Sequence, residues 1–319
     1  MKISIAMCTY NGAPFLREQL DSLLAQGRLA DEVVVCDDAS NDETIEIIED
    51  FARTAPFEVK LSINQTNLGP IKNFENAIRT CSGDLICLCD QDDVWRADKI
   101  ESIERAFDSD SGVGLVMSDA ELVDGDLASI DNRLFAELGF TPRMQKLAAS
   151  GKRFDLFLKR NYFCGATMAF RADFKNLILP FPEHGPLIHD GWIGLLVSAV
   201  GKVSFDKRPL ISYRLHGKQQ MGLPRISTSA QIVRAETTDR EFYRTHAQQL
   251  SEALARAVAW GIDARSKELL RQKIAHLKQR AELPSSPLRR LGSITREVIN
   301  LHYHRFSRGW FSAAKDLLA

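Results

Sequence analysis

The sequence predicts an α/β protein, a mostly parallel sheet flanked by helices with a helical C-terminal extension. Three observations predict it. Over the first 120 residues, short apolar or β-branched runs alternate with segments of helical period, the rhythm of strand–helix–strand units. From about residue 223 the strand-like runs stop and long helical patterns take over. Hydrophobic residues make up 45% and charged residues 26% of the 319, a globular balance that excludes disordered or collagen-like chain.

Strands are expected at 3–8, 32–36, 59–63, 85–89 and 113–117, and helices at 13–26, 42–53, 71–80 and 97–107. In the second helix Ile45, Ile48, Phe51 and Ala52 share one face, and Ser40-Asn41-Asp42-Glu43 supplies a polar start with acids in the first turn. Residues 119–222 are richer in Pro and Gly, with a helix expected after Asp190 and one or two strands over 202–215. Helices follow at 230–260 and 265–282, then shorter pieces after Pro287. The expected division is a catalytic domain over 1–222 and a helical module over 223–319.

A formal net charge of -1 argues against a dedicated nucleic-acid binder. Residues 261–319, however, carry 12 Lys and Arg against 5 acids. The six cysteines show no C-x-x-C spacing, so free thiols in a reducing compartment are expected. The N-terminal apolar stretch is too short for a secretory signal, and the longest run elsewhere, 193–200, is too short to span a bilayer. The expectation is a cytoplasmic protein without a transmembrane anchor.

In parallel sheets ligands bind beyond the carboxyl ends of the strands. That rule picks out Thr9-Tyr10-Asn11, Asp37-Asp38 and Asp90-Gln91-Asp92-Asp93. Three carboxylates within four residues repel one another unless a cation sits among them; Mg²⁺ or Mn²⁺ with a diphosphate satisfies such a group, although a solvated acidic turn fits the same residues. One of Asp37 and Asp38 can cap the next helix, leaving the other to accept from a ligand N–H. Tyr10 can stack on a base or be a core aromatic.

The ordered set Thr9-Tyr10-Asn11, Asp37-Asp38-Ala39-Ser40-Asn41-Asp42, Asn67-Leu68-Gly69, Asp90-Gln91-Asp92-Asp93-Val94-Trp95, Gly165-Ala166-Thr167-Met168-Ala169-Phe170, His189-Asp190-Gly191-Trp192 and Tyr213-Arg214-Leu215-His216-Gly217 resembles the family 2 glycosyltransferases of the GT-A fold, and within them the bacterial rhamnosyltransferase-like branch of cell-surface polysaccharide synthesis. The resemblance covers about residues 2–222. It implies transfer of a sugar from a nucleotide-sugar to an acceptor hydroxyl with inversion, the nucleotide held by 1–118 and the acceptor by 119–222. It implies that Tyr10 and Asp38 hold the base, with Thr9 and Asn11 against the nucleotide and Asn67, Lys72 and Asn73 lining the donor pocket. Asp90 would face the ribose or donor sugar, Asp92 would bind the metal (Mg²⁺ or Mn²⁺), and His216 would complete metal or diphosphate contacts. Arg214 would neutralise the diphosphate, or else pair with an acid such as Asp206. Asp190 would be the base that takes the acceptor's proton; its plainer role is to cap the helix it opens. The implied donor is dTDP-rhamnose or a UDP-sugar, and the acceptor a polysaccharide or lipid-linked glycan.

Gly191, Leu215 and Cys164-Gly165-Ala166 depart from more aromatic or polar family positions, which bears on the acceptor. A nucleotidyltransferase of related fold would need a basic Gly-rich loop after the first strand, and Thr9-Tyr10-Asn11-Gly12-Ala13-Pro14 does not supply one. A non-catalytic sugar-nucleotide-binding protein is the other alternative, disfavoured by the joint presence of Asp92, Asp190 and His216. In the tail, Arg289, Arg290, Arg296, Arg305 and Arg308 lie among Leu288, Leu291, Ile299, Trp310 and Phe311. This pattern suits peripheral contact with the inner face of the cytoplasmic membrane, and equally a helical bundle packed on the catalytic domain or forming a homodimer.

Overall fold

The computed structural model describes residues 1–217, 219 and 240–318. Contacts divide them into two compact units. The first comprises Met1–Gln145, Tyr162–Phe181 and the residues from His189 to 219; the second comprises Lys146–Asn161, Pro182–Ile188 and the residues from 240 onward.

The first unit is a mixed sheet built from β1 (Ile3–Thr9), β2 (Glu32–Asp37), β3 (Glu58–Ile63), β4 (Leu85–Cys89), β5 (Val94–Trp95), β6 (Val113–Val123), β7 (Ser129–Arg133), β8 (Met168–Arg171) and β9 (Lys202–Arg214). Its order is β3-β2-β1-β4-β8-β6-β9-β5, with β7 paired to β6. The expected parallel alternation holds for β1 to β4. β2 and β4 are buried along their whole length, as strands covered on both faces must be. The edge strand β3 carries Glu58 and Lys60 and is largely open, which discourages further strand pairing. Beyond β4 the sheet departs from the parallel expectation. The short β8 inserts antiparallel between β4 and β6, so β6 is not the neighbour of β4. It comes from the stretch whose Pro and Gly content obscured any strand period.

The helices connecting β1 to β6 are α1 (Ala13–Leu24), α2 (Thr44–Thr54), α3 (Pro70–Thr80) and α4 (Lys99–Ser109). Each turns an apolar stripe inward: Leu16, Leu20 and Leu23 on α1, and Ile47, Ile48 and Phe51 on α2, are buried. Then come α5 (Leu134–Glu137), α6 (Pro142–Leu147), α7 (Arg153–Lys159), which belongs to the second unit, α8 (Lys175–Ile178) and α9 (His189–Val200). Residues 191–199 of α9 are all buried, so this helix is apolar on every side and shows no amphipathic period.

In the second unit α10 (Arg240–Ala259), α11 (Ala264–Ala281), α12 (Pro287–Ile299), α13 (His302–Phe306) and α14 (Trp310–Leu318) follow one another. The helix expected over 230–260 lies in part outside the described residues. Asp263 caps α11 by accepting from Ser266 N at 3.0 Å. Leu283, Ile294, Tyr303 and Ala313 form an apolar cluster with Val298 and Leu317 against it. Arg280 is buried, paired with both carboxylate oxygens of Asp316 at 2.6 and 2.8 Å and lying over the Tyr243 ring at 4.1 Å. Among the described residues no helix is long and apolar enough to cross a membrane.

Candidate active site

The parallel register sets the carboxyl ends of three strands side by side: Thr9 opposite Asp37, and Met7 opposite Cys89. The segments leaving those ends are tied to one another. Thr9 Oγ1 donates to Asp37 Oδ2 at 2.7 Å. Ser40 N and Oγ donate to Asp37 at 2.8 and 2.6 Å, so Asp37 organises its own turn. Asn11 accepts from Asn41 N through its side chain at 2.9 Å, and Asn11 N donates to Ser40 Oγ at 2.8 Å. Gln91, between the acids, clamps Tyr10 by accepting from Tyr10 N at 2.8 Å and donating to Tyr10 O at 3.1 Å. This close approach requires Gly12: a Cβ there would stand 2.2 Å from Gln91 Oε1.

Asp38 is buried. It accepts from Leu68 N and Gly69 N, both at 2.8 Å, and from Asn64 Nδ2 at 2.9 Å. Of four lone-pair positions, three serve the 64–69 loop and one remains. Gly69, at φ +82, lets that loop turn back to donate. Asn67 is exposed at its rim, accepting from Gly69 N at 3.2 Å. Lys72 pairs with the buried Glu75 at 2.7 Å, which also accepts from Phe181 N at 2.9 Å; the lysine is engaged within its own helix.

The acids after β4 meet the end of β9 because β5 pairs with Ile211 and Ser212. His216 Nε2 lies 2.8 Å from Asp92 Oδ2, its ring 4.3 Å from that of Phe15. Arg214 is buried. Its Nε donates to Asp92 O at 2.7 Å, one Nη to Gly125 O and the other to Glu18, while its N donates to Asp93 Oδ1 at 3.0 Å. The acid that Arg214 pairs with is therefore Glu18 of α1. Asp206, the partner expected from sequence, is held by Arg208 at 2.6 Å, because an arginine two residues away on the exposed strand reaches it first. The Arg214 guanidinium holds the Asp90–Asp93 turn through the Asp92 carbonyl.

Asp190 opens α9 and accepts from Gly191 N. The helix start is placed by His189, which stacks on Phe74 with centroids 4.4 Å apart; a Cβ on Gly165 would come within 3.0 Å of His189 Nε2 and 3.8 Å of Leu88 Cδ1. Burial pulls the His189 imidazole down to about 4, so it is neutral. Burial, followed by the neighbouring charges of Asp92 and Asp190, pushes the Asp90 carboxyl up to about 7. Asp93 is raised by burial and by Asp92 and Asp90, and its Oδ2 has no hydrogen-bond partner among the described residues. Asp92 and Asp190, from two distant segments, thus both bear on Asp90. Lys99 is buried, with Nζ 3.8 Å from the Trp95 ring centroid and donating to Ala166 O at 2.8 Å; burial draws its ammonium down to about 8. Sequence reasoning missed Gln91, Glu18, Phe15 and Lys99. Gln91 sits inside the acidic motif itself, and Phe15 and Glu18 share one face of α1. Lys99 gives no sequence signal, since a lysine in a helix's first turn reads as solvent-facing.

A divalent cation fits this donor set. An imidazole nitrogen beside a carboxylate oxygen, crowded acids and an unpartnered buried oxygen suit Mn²⁺ or Mg²⁺ better than they suit one another. A tighter three-ligand group, with atoms within 4.8 Å, occurs at His276, Glu297 and His302. There Glu297 accepts from both imidazoles and His276 Nε2 lies 2.9 Å from Ser307 Oγ, which also accepts from Arg280 at 2.9 Å. That group is satisfied internally, beside a fixed positive charge.

Comparison with known proteins gives a match to the model of glycosyl transferase family 2 over residues 4–177. The dTDP-rhamnosyl transferase RfbG of Shigella flexneri is 28% identical over 262 residues, covering 78% of this chain and 84% of that one. Among solved structures, S. aureus TarS 1-349 in complex with UDP-GlcNAc superposes with a TM-score of 0.58 at 18% identity over 99% of this chain and 88% of its own. The mannosyltransferase PcManGT from Pyrobaculum calidifontis, in complex with GDP-Man and Mn²⁺, gives 0.50 at 18% over 99% and 85%.

Proposed function

The chain belongs to glycosyl transferase family 2 and is a glycosyltransferase of GT-A fold, and from that premise we propose that it is an inverting, metal-dependent enzyme that moves a sugar from a nucleotide-sugar to a glycan hydroxyl. The observation that carries this reading is geometric: His216 Nε2 lies 2.8 Å from Asp92 Oδ2, so an imidazole and a carboxylate 124 positions apart meet beyond the carboxyl end of β4, and the charges of Asp92 and Asp190 help to raise the buried Asp90 carboxyl there. The nucleotide lies over the ends of β1 and β2, against Thr9, Tyr10 and Asn11, with the last lone pair of Asp38 taking a base N–H and Asn67 and Lys72 at the rim. Asp90 faces the donor sugar. Asp92 and His216 hold Mg²⁺ or Mn²⁺, with Arg214 as the group that positions them. Bound there, the cation supplies Lewis-acid stabilisation of the leaving diphosphate. Asp190 accepts the acceptor hydroxyl's proton as that oxygen attacks the anomeric carbon, and the carboxylate is supported by the N-terminus of α9.

Residues 1–118 form the nucleotide-binding half in this reading and 119–222 the acceptor half. The similarity to a dTDP-rhamnosyl transferase favours dTDP-rhamnose as donor over a UDP-sugar, with a cell-surface polysaccharide or lipid-linked glycan as acceptor. A panel of nucleotide-sugars, assayed for metal-dependent transfer or hydrolysis and for thermal stabilisation, tests the donor. Asp190→Asn is expected to cut transfer by roughly 10²–10⁴ while leaving donor binding intact; normal turnover in that variant would refute the base assignment. Activity that survives chelation would refute the metal.

A further inference from the structure

Seven of the fifteen large hydrophobic side chains that stand exposed among the described residues fall within 288–318, about a tenth of the chain. On α12, Leu288, Leu291 and Ile299 repeat at spacings of three and eight, which places them in one stripe; Leu288 is 85% and Ile299 73% exposed. On α14, Phe311 and Leu318, seven apart, form a second stripe beside Trp310, with Leu318 83% and Trp310 67% exposed. Both helices also have an inner face, through Ile294 and Ala313, in the apolar cluster of the second unit. The outward stripes are therefore surplus to the packing of the bundle.

The charges around these stripes are one-sided. Residues 284–319 contain two acids, Glu297 and Asp316. Both are buried and engaged inside the unit, Glu297 by His276 and His302 and Asp316 by Arg280 and Tyr303. Arg290 is also buried, donating to Pro284 O. Arg289, Arg296, Arg305 and Arg308 remain exposed. Arg289 and Arg296, seven apart, flank the α12 stripe. Aliphatic and indole side chains whose exposed charged neighbours within 284–318 are guanidinium groups match an anionic bilayer, in which apolar groups enter the acyl boundary, Trp sits at headgroup depth and arginines meet lipid phosphates. A second copy of the chain would bring the same positive charges together across the contact.

We propose that α12–α14 form a docking surface for an anionic phospholipid bilayer, with Leu288, Leu291, Ile299, Trp310 and Phe311 as the inserting groups. This does not depend on the reaction proposed above.

The test is co-sedimentation of the full chain with vesicles of phosphatidylglycerol and phosphatidylcholine against vesicles of phosphatidylcholine alone, across a salt series. Two variants at exposed positions accompany it: R289Q/R296Q/R305Q/R308Q, and W310S/F311S, with thermal melts to confirm folding. The expected result is binding to the anionic vesicles only, weakened by salt and reduced at least ~10-fold in each variant. Equal binding to neutral vesicles, no binding, or binding unchanged in both variants overturns the proposal. So does a concentration-dependent dimer that W310S/F311S dissociates while vesicle binding is absent, which would make this a contact between copies.

Discussion

Gly12→Ala should destabilise the protein through one identifiable neighbour. The backbone at Gly12 is ordinary (φ -97, ψ -1), so an alanine meets no conformational penalty and would by itself favour folding by about 0.4–1 kcal/mol through the unfolded chain. Its Cβ, however, would stand 2.2 Å from Gln91 Oε1 and 2.6 Å from Gln91 Cδ. The amide can swing aside, but only by giving up its two hydrogen bonds to the Tyr10 backbone, worth about 0.5–1.5 kcal/mol each. The net expectation is a loss of about 1–2 kcal/mol, or roughly 2–8 °C in melting temperature for a unit of this size. Urea unfolding of wild type, Gly12→Ala, Gln91→Ala and the double variant closes the cycle. In the Gln91→Ala background the alanine should stabilise by about 0.4–1 kcal/mol, a reversal of sign. Equal losses in both backgrounds would refute the reasoning.

Other outcomes follow from the same geometry. The folded Asp90 carboxyl titrates near 7 rather than near 3.8, so between these values the folded state holds more protons than the unfolded chain and stability falls as pH rises. In metal-free buffer the advantage of Asp90→Asn over wild type should grow from about pH 4 to about pH 7 and then level off. The comparison must be a difference, because His189, lowered to about 4, loses stability in the opposite direction, as pH falls through 6.5 to 4. Arg214→Lys cannot reproduce bonds to Asp92 O, Gly125 O and Glu18 at once; a loss of about 3 kcal/mol in urea unfolding, with a raised metal requirement for transfer, is expected. Gly194→Ala would put a Cβ 2.1 Å from the Phe163 ring, and calorimetry should show overpacking of about 1–3 kcal/mol.

The parts of the molecule that were legible in sequence are those whose residues carry a period. β1 to β4 and the helices between them could be placed because each helix has one apolar face and each strand ends at polar residues. β8 was not legible: it is four residues long and emerges from a tight turn. α9 has no polar face, so Asp190 was a better marker of it than any periodicity. In the site, acids at strand ends announced themselves, since charge next to an apolar run has few structural explanations. What sequence could not supply was their partners. That Asp38 receives its donors from the 64–69 loop, that Glu18 rather than Asp206 meets Arg214, and that Lys99 lies buried against Trp95 are all contacts set by the packing of distant segments.

The dependence of the acidic turn on Arg214 and His216, 122 and 124 positions further along the chain, has a consequence for biosynthesis. While the ribosome is still making the middle of the protein, β1 to β4 can already pair, but Asp92 and Asp93 hang from the end of β4 with neither the guanidinium nor the imidazole that secures them. The acidic turn is secured only when the strand ending at Arg214, and His216 just beyond it, have left the exit tunnel, so a nascent chain cut short before that point would keep its first strand pairings and lack the contacts that hold its acids.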